Sequence, residues 1–343
     1  MSIASQPTLV RLLAAVVGDG PAARLLATID VHPALLADTA GNVSRAVLAQ
    51  AMNLVLFDGL LARVPAGRAY VDDVRAGGAR VVFDHGALRT VKAPATGALP
   101  PGEAAFRRIL DPLGYRLAGT YPLDRLGMTG RSYAQADHPE EIAQFFLSEL
   151  HPERFSERFQ AATARVLATS RDPLDAADLA RLDALARDRV LPMADAVALL
   201  PRLVACFDRW HDEPALADYE ILLAESAEMA WIATEGNAFN HATDRVADVV
   251  ALADRQKQLS RPMKDKVEVS ASGRVLQTAF RAAEVERGFR LPSGDRVTRI
   301  VPGSFYEFIT RKTMVDADSG KTRLDLGFDS SNAQGIFKMT AAA

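Results

Sequence analysis

Apolar residues recur at three- and four-residue spacing through the first sixty positions, the period of one helix face. Helices are expected over Thr8 to Val17, from Pro21 onward, and over Ser44 to Phe57, with Ser44 as an N-cap. The glycine pair Gly77 and Gly78 breaks that period. Residues 79–91 then alternate and are rich in β-branched side chains, so they read as a strand. Beyond the Pro100-Pro101 break, residues 103–110 read as a helix and residues 115–121 and 131–136 as strands.

The pattern from 138 to 234 is helical almost throughout. Asp137-His138-Pro139 followed by two acids reads as a helix start, Asp172-Pro173 and Pro192 open further helices, and another runs from Ala215 to Trp231. Strand character returns at Gly236. A strand over 236–245 precedes an amphipathic helix over 246–255, and strands follow at 267–270, 275–280 and 305–309. The chain is therefore expected to be α+β, with two β-α-β-β units at 79–137 and 236–343. A helical segment at 1–78 leads in, and a helical insert at 138–235 separates the units.

The two units share more than element order. Residues 83–89 read Phe-Asp-His-Gly-Ala-Leu-Arg and residues 239–245 read Phe-Asn-His-Ala-Thr-Asp-Arg, so the core Phe-[Asp/Asn]-His-x-x-x-Arg occurs twice. One histidine from each unit, His85 and His241, is what a metal site shared by two modules needs. Glu307, on an apolar strand between Phe305 and Ile309, supplies a carboxylate that burial would otherwise penalise by several kcal/mol. Two imidazoles and one carboxylate leave positions open on an octahedral metal, whereas a closed zinc site wants four Cys and His ligands. Arg89 shares the strand face of His85 and suits bidentate binding of a substrate carboxylate. Arg245 holds the matching place in the second copy, read as the start of a helix.

Composition narrows the partners. The 343 residues are 49% hydrophobic and 24% charged with a formal net charge of −3, which gives no basic footprint for nucleic acid or anionic lipid. The single cysteine, Cys206, lies in an apolar run and reads as core packing in a reducing cytoplasm. His32, His138, His151 and His211 read as surface or cap residues. No uninterrupted apolar stretch of about 18 residues and no export signal is seen. P-loop, dinucleotide-binding glycine and Gly-x-Ser-x-Gly patterns are missing as well. Small molecules are the expected partners.

The segments around His85, His241 and Glu307, together with Ser330-Ser-Asn-Ala-Gln-Gly-Ile-Phe337, resemble the DUF1338 family, whose characterised members are 2-oxoadipate dioxygenase/decarboxylases, also called hydroxyglutarate synthases. The resemblance runs from about residue 80 to the end. It implies two modules of the vicinal oxygen chelate type, joined in a half-barrel sheet around a metal. It implies Fe(II) held by His85, His241 and Glu307, and Arg89 contacting a 2-oxo acid. The implied reaction consumes O2 and turns a 2-oxoadipate-like acid into a 2-hydroxyglutarate-like acid and CO2. A metal-dependent isomerase or lyase without O2, and a ligand-binding module, are the alternatives from the same superfamily. Longer members continue past the Ser-Asn-Ala-x-Gly-Ile-Phe region with residues for the substrate's distal carboxylate, which leaves the 2-oxo acid open here.

Overall fold

A computed structural model describes residues 6–315 and 320–329. Its centre is one curled, mixed sheet of eight strands: β1 (Phe83–Val91), β2 (Tyr115–Leu123), β3 (Met128–Gln135), β4 (Gln144–Leu150), β5 (Phe239–Arg245), β6 (Glu268–Val269), β7 (Val275–Ala279) and β8 (Phe305–Arg311). Their order across the sheet is β2-β3-β4-β1-β5-β8-β7-β6. β1 lies parallel to β4, β5 lies parallel to β8, and β1 meets β5 antiparallel. The two halves therefore repeat each other about the β1/β5 seam, each a strand, a helix, a hairpin arm and a returning strand beside the first.

This arrangement corrects the helical reading of residues 138–150. Asp137 to Glu141 start no helix, and Gln144–Leu150 form β4 with every residue buried. A strand covered on both faces has no reason to alternate, so its Phe-Phe-Leu run carries no period of two. Arg245 ends β5 and does not open a helix, which begins only at Val249 behind the Asp248 cap. The helix expected from Ala215 to Trp231 is two, Leu216–Glu225 and Ala227–Glu235, because Ser226 is extended and caps the second through the amide of Met229. A hairpin of Glu284–Arg290 and Arg296–Pro302, not foreseen, stands between β7 and β8 and packs Phe289 on Tyr219.

Helices pack against the sheet. The central one, Arg45–Arg63, begins at the Ser44 cap and buries Leu48, Met52, Phe57 and Leu60 completely. By length and composition it could cross a membrane, but 78% of its apolar window is buried inside the molecule, which makes it a core helix. Cys206 is also core, its thiol pushed up to about 12 by burial. His151 and His211 correct the surface reading. Both are buried, with Nε2 in hydrogen bonds to Thr129 Oγ1 at 2.8 Å and the Ala233 carbonyl at 2.9 Å. His32 is exposed and caps Pro33–Ala37.

Candidate metal centre

β1 and β5 run side by side because their small residues allow it. A Cβ added at Gly86 would come within 1.6 Å of the Phe239 ring, so only glycine lets β5 lie this close. The seam brings His85 of β1 against His241 of β5, with ring centroids 5.7 Å apart and planes at 82°. β8, hydrogen-bonded to β5 with Phe305 opposite His241, carries Glu307 to the same point. Glu307 Oε2 lies 2.9 Å from His241 Nε2 and 3.9 Å from His85 Nε2, and the three potential ligand atoms fall within 4.8 Å of one another. All three side chains are buried.

Their protonation suits a cation. Burial depresses the basicity of His241 against the pull of Glu307, and the nearby Arg89 depresses it further. Burial would raise the Glu307 carboxyl, but His241, His85 and the Thr243 hydroxyl outweigh it and keep the group below its ordinary value. A neutral imidazole and an ionised carboxylate are the forms that ligate a metal. Glu307 Oε1 has no hydrogen-bond partner among the described residues. A fully buried carboxylate oxygen without a donor is costly, and a bound cation removes the cost.

The ligand orientation is fixed from behind. Asp84 Oδ1 lies 2.8 Å from His85 Nδ1, which places the proton there and turns Nε2 toward the centre. Burial opposes the Asp84 charge, yet Arg311 and His85 together hold its carboxyl far below the usual carboxylate range. In the second copy Asn240 takes the place of Asp84, with Nδ2 3.5 Å from His241 Nδ1. One histidine is thus backed by a charge and the other by an amide.

The fourth central strand leaves the site open. Glu307 stands two residues beyond the partner of His241; the equivalent residue on β4, two beyond the partner of His85, is Phe146. An apolar ring occupies the place where a fourth ligand would stand, and it lines a cavity with Ala87, Ser148, Asn240, Gln277 and Phe328. Such a three-ligand set beside a cavity is the pattern of a reactive centre, in contrast with a closed structural one.

Arg89 is buried on β1 with its guanidinium 4.9 Å over the Trp231 ring, and burial lowers it to about 10 while Glu228 opposes the shift. Arg245 points elsewhere: its Nη2 donates to the Glu140 carbonyl at 3.0 Å, and Nη1 lies 3.9 Å from Asp84. Asp84, Thr243 and Arg311 were not singled out by the sequence reading. A signal for Arg311 existed, because β8 reads Phe-Tyr-Glu-Phe-Ile-Thr-Arg and repeats the Phe-x-[ligand]-x-x-x-Arg spacing of β1 and β5. The Ser330 to Phe337 motif lies outside the described residues.

Known proteins share this fold. A glyoxalase superfamily protein from Ralstonia eutropha JMP134 is 61% identical, with 94% of this chain and 98% of that one aligned at a TM-score of 0.89. Hydroxyglutarate synthase from Oryza sativa, solved with 2-oxoadipate, aligns over 88% of this chain and 96% of its own at a TM-score of 0.64 and 18% identity. The chloroplastic 2-oxoadipate dioxygenase/decarboxylase of Arabidopsis thaliana is 25% identical over 141 residues, 38% of each protein. The profile of the 2-oxoadipate dioxygenase/decarboxylase family matches residues 66–334. That span takes in the whole sheet and all three converging strands, and the chain belongs to this family.

Proposed function

We propose that the chain is an Fe(II)-dependent dioxygenase/decarboxylase that converts a 2-oxoadipate-like acid and O2 to a 2-hydroxyglutarate-like acid and CO2. The observation that carries the reading is the buried His85, His241 and Glu307 set, with one carboxylate oxygen lacking a donor among the described residues and an apolar ring in the fourth place. Family membership and the 2-oxoadipate held by the rice structure support the substrate class. Fe(II) bound there would supply the redox chemistry that joins O2 to a 2-oxo acid, which a protein side chain cannot do alone. The overall change balances: CO2 carries away the C1 carboxylate, one atom of O2 completes the new carboxylate at the former keto carbon, and the other becomes the new hydroxyl.

The side chains divide the remaining work. His85, His241 and Glu307 would hold the ion, while Asp84 keeps the proton of His85 on Nδ1. Arg89, a buried cation near His241, would receive the substrate's C1 carboxylate, and Trp231 under its plane restricts where the guanidinium can turn. Phe146 and Phe328 line the cavity and keep water from a reactive centre.

Metal analysis after anaerobic loading with Fe(II) and desalting tests the ligand set. One iron per chain is expected in the wild type and almost none in Glu307→Ala. A variant that retains a full equivalent of iron would remove Glu307 from the ligands.

A further inference from the structure

Arg311 is a second buried cation near the centre, and it is neither among the cavity-lining residues nor in contact with the candidate ligands. Its side chain is completely buried at the end of β8, and its fork faces two ways. Nε lies 3.0 Å and 2.9 Å from the two oxygens of Asp84, and Nη2 lies 2.9 Å from Asp84 Oδ1, so one edge grips the carboxylate that orients His85. On the other edge Nη1 donates to the carbonyls of Asp325 and Gly327 at 2.9 and 2.8 Å.

Those carbonyls belong to residues 320–329, a strap whose Phe328 and Asp329 line the cavity. The strap delivers Phe328, whose ring stands edge-on to His85 at 4.8 Å and against Phe146 at 4.9 Å. The Phe328 amide donates to Tyr121 Oη at 3.2 Å, and Gln144 Nε2 donates to the Leu326 carbonyl at 3.3 Å. The guanidinium carbon of Arg311 sits 4.9 Å from the Phe328 ring. One planar cation therefore reaches the carboxylate behind a candidate metal ligand and the backbone of the segment that roofs the same cavity. Lysine has the charge but not the fork, and cannot serve both edges.

We infer that Arg311 is a positioning residue that couples the roof of the cavity to the centre, so that ligation at His85 tightens the 320–329 strap through Asp84 and Arg311. The inference rests on the proposal that His85, His241 and Glu307 bind a metal. Ligation at Nε2 makes the Nδ1 proton more acidic and strengthens its bond to Asp84, which steadies the Arg311 fork and with it the two strap carbonyls. By linkage, loosening the strap must weaken metal binding by the same factor.

Hydrogen–deuterium exchange of the full chain with Zn2+ as a redox-silent probe tests this, read together with Zn2+ affinity. In the wild type, Zn2+ is expected to slow exchange in residues 320–329 by about fivefold or more. In Arg311→Lys the strap should exchange fast with or without the ion, and Zn2+ should bind more weakly by the same factor, about fivefold or more. Asp84→Asn cuts only one edge: its strap should stay as slow as in the metal-free wild type, but should no longer respond to Zn2+. Exchange in the Arg45–Arg63 helix should be alike in all three, which separates the effect from misfolding. A strap that ignores Zn2+ in the wild type, or that responds equally in Asp84→Asn, would overturn the coupling while leaving the metal site standing. A wild-type chain that binds Zn2+ and Fe2+ nowhere would remove the metal proposal, and the coupling with it.

Discussion

Asp244, next to the Thr243 that touches both His85 and Glu307, is held between the Tyr70 hydroxyl at 2.7 Å and the Val82 amide at 3.1 Å. Burial pushes its carboxyl up to about 7, with the charge of Asp84 adding and those two donors opposing. Between pH 4 and 7 the folded chain therefore binds a proton here that the unfolded chain has lost. The stability from this group is full below about pH 4 and falls as pH rises through 7, by up to about 4 kcal/mol. Asp244→Asn keeps the shape without the titration, so urea unfolding should find the variant more stable than wild type at pH 8 and equal to it near pH 4. A difference that does not change with pH would contradict the assignment. At this scale the sequence was legible where a motif repeats: His85 and His241 stand out by their shared spacing, and Glu307 by its apolar strand. Asp84 and Arg311 are 227 positions apart, and no local pattern joins them.

The element that decides the geometry is the β1/β5 seam. Gly86→Ala would drive a methyl group into the Phe239 ring, an overpacking that costs about 1–3 kcal/mol or more in a closed core. The variant should lose thermal stability and metal affinity together, since the two strands each carry one histidine. Phe239→Leu in the same chain should recover part of both, and a double-mutant cycle that shows simple additivity would place the clash elsewhere. β1, β5 and β8 were readable because each carries the Phe-x-[His/Glu] pattern or β-branched residues between turn signals. β4 was not, for a physical reason: Gln144 to Leu150 are buried on both faces, and the preceding Asp-His-Pro-Glu-Glu offers the residues of a helix start. The helical segments around it were read correctly in kind, and the break at Ser226 was missed because one extended residue does not disturb the apolar period.

Over the whole molecule, two similar halves place their first strands back to back, and the centre forms where the halves meet. The doubling was visible in the sequence as two His strands, each with a helix and further strands behind it. The returning strand of the first half, the roofing strap and the open fourth position depend on contacts between distant segments and emerged only in three dimensions. If His85, His241 and Glu307 hold a metal as proposed, Phe146 in place of a fourth ligand is the feature that would separate a reacting centre from a structural one. The central proposal is that this centre holds iron and couples O2 to the decarboxylation of a 2-oxo acid. Oxygen uptake measured alongside CO2 release, on Fe(II)-loaded chain given 2-oxoadipate and a panel of other 2-oxo acids, tests it most directly. Equimolar O2 consumption and CO2 release with at least one acid is expected, abolished in Glu307→Ala. An iron-loaded chain that turns over none of them with O2, or a Glu307→Ala variant that consumes O2 at the wild-type rate, would contradict it.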